Sequence, residues 1–216
     1  MVINMKMNLK NRSFKKISNL NIKLTSKNLF IFLISFSIVT FIIGIIFYYI
    51  LNSSDKTEFN NGIINYFTLK DNYNYLDLLK SSFLENTFNS FLIWILGISV
   101  IGIIAVIFIY FCSLFSLGFS IASIFASYKA KGIIGTICYL FPSKACYLIV
   151  MFFLTFFAIK ISYKIIKLCF TKEEINIKEE INRYFKVLLF SFFSLLAVSV
   201  LEVFVDPFII GLFSKL

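Results

Sequence analysis

From Asn86 to Tyr128 the chain runs for 43 residues without a single Asp, Glu, Lys or Arg. At about 1.5 Å per residue, one helix of that length would be roughly twice as long as the hydrocarbon core of a bilayer is thick. The run is therefore expected to cross twice, as a hairpin. Lipid cannot satisfy backbone N–H and C=O groups, so only helices or a closed barrel can span it, and continuous apolar runs without strict alternation select helices. Composition points the same way, with 59% hydrophobic and 19% aromatic residues and a mean hydropathy of +0.89.

The formal net charge is +10, but the Lys and Arg residues lie mainly in two places, the first 27 residues and the stretch from Lys160 to Lys186. Each flanks a hydrophobic run. That is the placement of topogenic charge beside anionic lipid, not of a nucleic-acid module. Residues 1–28 read as a basic cytoplasmic segment, and residues 29–216 as a helical transmembrane domain. Leu29 to Leu51 supplies about 23 uncharged residues, enough for a first span. Its length and long polar leader do not fit a cleaved secretory signal.

Asn52 to Leu84 is polar and acidic enough to belong outside, and Leu76, Leu79 and Phe83 predict a short amphipathic helix over Tyr75 to Asn86 at the outer interface. The hairpin is expected to turn near Cys112 to Ser116, its most polar point. Gly118, Ala122 and Ala126 then form a small-residue stripe on the rising arm, where a neighbouring helix can approach closely. Gly97 and Gly102 are read as similar contact points on the descending arm. Lys129 to Ser143 is too broken to span and predicts a half-helix ended by Pro142. Ala145 to Ile159 returns inward and continues through Lys160, Lys164 and Lys167. The capping-box pattern Thr171 to Glu174 and the duplicated KEEIN at Lys172 and Lys178 mark a solvated turn. Val187 to Leu201 begins the last span, which meets Glu202 and Asp206 and should bend at Pro207. The sum is an all-α, polytopic integral membrane protein with about five transmembrane helices and short interfacial helices, N-terminus cytoplasmic and C-terminus outside.

The sequence has no His, which excludes Ser-His proteases, HExxH zinc proteases and imidazole acid/base schemes. The four Cys form no CxxC pair and read as packing residues, with a Cys138–Cys146 disulfide as the alternative should the loop around Pro142 face an oxidising compartment. Glu202 and Asp206 are the one acid pair inside a hydrophobic run, but stacking along one helix face does not set two carboxylates across a shared proton. They read as a structural anchor, with Lys131 or Lys144 as outer-side partners. No catalytic residue, cofactor or metal ligand is assigned, and the chain is expected not to be an enzyme.

Several blocks, in order, resemble the stage II sporulation protein M family. They are Glu85-Asn86 leading into Leu92 to Gly102, FSLGF at Phe115 to Phe119, LFPSK at Leu140 to Lys144, and LEVFVDP at Leu201 to Pro207. The chain departs from the family pattern at Glu85, where a second Asn is common, and at Ser113-Leu114, where Lys-Gly is common. The resemblance implies a non-enzymatic membrane scaffold of the engulfment machinery. Its partners would be stage II sporulation proteins D and P, a lytic transglycosylase and an amidase/endopeptidase, together with membrane lipids and no nucleic acid. It also implies a bacterial cell membrane location, at the septal or engulfing membrane. The alternative from another class is a transporter or permease subunit.

Overall fold

The computed structural model describes residues 26–68, 75–99, 101–170 and 177–213. The basic segment before Ser26, the capping box and the first KEEIN lie outside the described residues. The elements in order are α1 (Ser26–Ile50), α2 (Ser53–Thr68), α3 (Tyr75–Gly97), α4 (Gly102–Tyr128), a 3-10 turn (Lys129–Lys131), α5 (Gly132–Leu140), α6 (Ser143–Phe170), α7 (Ile177–Phe204) and α8 (Asp206–Phe213).

Four helices are long and apolar enough to cross a membrane: α1, α4, α6 and the run Lys178–Ile209 that takes in α7. Their lipid-type surface is extensive, with side chains such as Ile38, Phe108 and Phe190 exposed. α3 is the remaining long helix. It packs against α4, α6 and α7, but its first half carries Asp77, Lys80 and Glu85. The core where α1, α3, α4 and α6 meet is built from Leu33, Ile93, Val106, Tyr110, Met151 and Leu154.

Two expectations are corrected here. The hairpin turns at residues 98–101 and not at Cys112 to Ser116, which lie inside α4. Polar side chains misplaced the turn, because a helical Ser can satisfy its hydroxyl on the carbonyl four residues back, as Ser113 does on Ile109 at 3.1 Å. The true turn is tight: Ser99 N–H donates to the Leu96 carbonyl at 3.0 Å, and the Ser162 hydroxyl of α6 caps the Gly97 and Ser99 carbonyls. Gly102 is buried against the Leu96 carbonyl, where a Cβ would overlap it. The segment Tyr75 to Asn86 is likewise no separate surface helix, since it runs unbroken into α3.

Ser99, Lys164 and Glu180 share one end of the bundle, through the Ser162 bonds and the Lys164–Glu180 ion pair at 2.6 Å. α2, α5 and α8 gather at the other end. In a Cys-free background, Ser99→Cys is expected to react with an impermeant maleimide from the same side as Lys178→Cys and the opposite side from Asp55→Cys. Ser113→Cys should stay slow from both sides. Labelling of position 113, and not 99, from the Lys178 side would restore the rejected turn.

The half-helix ended by proline is present as α5, with Phe141 extended and Pro142 following it. The last bend falls at Val205, just ahead of Pro207. Val205 still donates to Leu201 at 2.9 Å and accepts from Ile209 at 3.1 Å. The proline sits in the first turn of α8, where its missing N–H has no helical partner to lose.

Candidate functional site

Three of the sequence blocks, far apart in the chain, meet where α3, α6, α7 and α8 converge. Lys144, in the first turn of α6, donates to Glu202 Oε1 at 2.7 Å. Asn86 Nδ2 of α3 donates to Glu202 Oε2 at 3.2 Å. Ser143 Oγ donates to Asp206 Oδ2, and both residues are buried. Each carboxylate lies beside a helix start, α6 for Glu202 and both α6 and α8 for Asp206, where exposed backbone N–H groups favour negative charge. The partner of Glu202 is therefore Lys144, one of the two lysines expected.

Asp206 Oδ1 is buried without a partner among the described residues. The two carboxylates hold different partners, so they do not form a proton-sharing dyad. Sixteen residues of α6 separate Lys144 from Lys160, about 24 Å, which sets the network well away from the basic end.

A cavity of about 340 Å³ adjoins the network, lined in part by Glu85, Asn86, Asn89, Ser113, Lys144 and Tyr147. Tyr147 shares this lining with Asn89 and Ser113. Glu85 is exposed at the rim. Glu85 and Ser113 thus line one cavity, whereas Leu114 does not.

The small residues fall in a different place, the seam between α1 and α4. A Cβ at Gly118 would overlap the Phe41 carbonyl, and one at Gly44 would overlap the Phe115 carbonyl. Ala122 is buried in the same seam, whereas Ala126 is exposed, so the stripe stops one turn early. Positions four apart advance by about 40° around a helix, so eight residues carry Ala126 off the contact face. Gly97 is a second contact point, pressed on Ala158 of α6 and Tyr184 of α7.

Sequence reasoning missed a second polar cluster. Asn60 of α2 accepts from the Tyr48 hydroxyl at 2.9 Å and from Ser123 at 2.8 Å, tying α2 to α1 and α4. An Asn within a polar segment gave no signal of it. Cys138 and Cys146, which flank Pro142, are free thiols.

The family model described as stage II sporulation protein M matches residues 25–207. No curated protein and no solved structure matches the chain. The matched span takes in the helices from α1 to the start of α8, including Asn86, Lys144, Glu202 and Asp206 of the polar network. This helical membrane protein belongs to the stage II sporulation protein M family, a sporulation-related family.

Proposed function

We propose that the protein is a membrane scaffold of the engulfment machinery, one that assembles or localises peptidoglycan-remodelling enzymes at the septum. The observation that supports this reading most is the use made of the charged residues in the family blocks. Glu202 is held by Lys144 and Asn86, and Asp206 by Ser143, so these groups join four helices into one frame. A frame of fixed shape suits a platform whose reactions are carried out by other proteins. On this reading those partners are stage II sporulation proteins D and P, and the wall-cutting chemistry is theirs.

A fluorescent fusion in sporulating cells is expected to gather at the septum and then follow the engulfing membrane. The same fusion, solubilised gently, should co-purify with the two hydrolases. Uniform membrane fluorescence throughout engulfment would overturn the reading.

A permease subunit is the second reading, and the polar cavity beside Tyr147 is what favours it. The two separate cleanly. A permease gains thermal stability with a particular solute, whereas a scaffold gains it with its protein partners.

A further inference from the structure

We propose that the groove between α6 and α7 is a binding site for one anionic diacyl phospholipid. Two cavities stack along it and share Phe157. The one at the basic end, about 150 Å³, is lined by Lys160, Lys164, Arg183 and Glu180. The other, about 730 Å³, is apolar and climbs from Lys186 past Phe190 and Ser194 towards Leu201. Head and tail chemistry are thus arranged in the order, and along the axis, that a phospholipid presents them.

The two cavities open on one face. On α6 their linings recur at Cys146, Ile149, Phe153, Phe157, Lys160 and Lys164, a single stripe at helical spacing. The opposite face of α6, with Met151, Ala158 and Ser162, is buried, and Ala158 and Ser162 meet Gly97 of α3. The groove therefore lies on the outside of the bundle.

Charge selects the head group. Three basic side chains surround the smaller cavity against one carboxylate, Glu180, which Lys164 holds at 2.6 Å and Arg183 approaches only to 3.7 Å. Arg183 is 72% exposed and carries a planar fork of five N–H donors. Lys160 lies over the Phe156 ring at 5.9 Å. A phosphate accepts from guanidinium and ammonium groups together, and basic pockets between spans favour anionic head groups. An apolar solute would leave the excess positive charge of three cations over one carboxylate unmatched, and a free phosphate would leave the long groove empty.

The purified full-length protein should be stabilised against heat by phosphatidylglycerol in mixed micelles, with phosphatidylcholine and inorganic phosphate as the comparison arms. Native mass spectrometry should find one retained anionic lipid. Neutralising Lys160 and Arg183 together, as Lys160→Gln with Arg183→Gln, should weaken phosphatidylglycerol binding about thirty-fold. Ser194→Phe, which fills the groove without altering charge, should weaken it as well while leaving the fold intact by size exclusion. Equal stabilisation by the two lipids, or stabilisation by inorganic phosphate alone, would overturn the proposal. So would unchanged lipid binding in both variants, which would leave the groove to a partner helix.

Discussion

Replacing Lys144 by Leu is expected to cost the folded protein about 3 kcal/mol, because it strands the Glu202 carboxylate inside a helical bundle. Lys144 and Glu202 are only 27% and 19% exposed, so solvent offers the orphaned charge little relief. Lys144→Leu combined with Glu202→Leu should recover most of the loss, since an apolar pair of similar volume leaves no charge unmatched. Glu202→Gln should be milder than Lys144→Leu, because Gln retains an acceptor for Asn86 at the same place. Thermal unfolding in detergent, followed by size exclusion, reads all four proteins. Engulfment scored with a membrane dye supplies the functional arm. Complete loss of engulfment in Glu202→Gln at normal abundance would give the carboxylate a proton-transfer role and remove the anchor interpretation.

The second large effect is steric. Gly118→Leu should drive α1 and α4 apart, since even a methyl group there overlaps the Phe41 backbone, and backbone cannot swing aside as a long side chain can. Overpacking of this kind costs about 3 kcal/mol and should deplete the folded species. Ala122→Leu should follow in the same direction, because Ala122 is 3% exposed. Ala126→Leu, on the exposed turn beyond, should be nearly silent. A stable Gly118→Leu protein would mean that the two helices are not held in this register.

Helix identity was legible wherever apolar runs were long and bounded by charge. α1 and α6 match their expected spans, α7 contains its own but begins at Ile177, so the second KEEIN lies in helix and not in a turn, and α5 with Pro142 ends where the proline requires it. The α3–α4 turn was not legible, because its capping group is the Ser162 hydroxyl from a helix sixty residues on, while Ser113 declared itself polar and bonded to its own helix. The same limit applies to the site. Glu202 and Asp206 stood out because carboxylates in an apolar run need partners, and Lys144 was among the candidates. Tyr147 and Asn89 left no mark, since a tyrosine or an asparagine within a span is distinguished only by what it faces. Gly44 was overlooked for a related reason: its meaning comes from Phe115, not from any pattern in its own helix.

The close seam between α1 and α4 also sets an order of events during synthesis. α1 ends at Ile50 and its main partner ends at Tyr128. At about 5–20 residues per second, roughly four to sixteen seconds separate the two at the ribosome. Through that interval α1 has lipid for company on every side, including the face that Gly44 later presses onto α4. Its freedom from charge between Leu29 and Leu51, and an apolar character stronger than that of the other three candidate spans, make it a segment able to wait. The glycines that let the two backbones touch expose little polar surface while they wait. α1 thus enters the membrane well before the surface it packs on exists, and the seam can close before α6 and α7 are made.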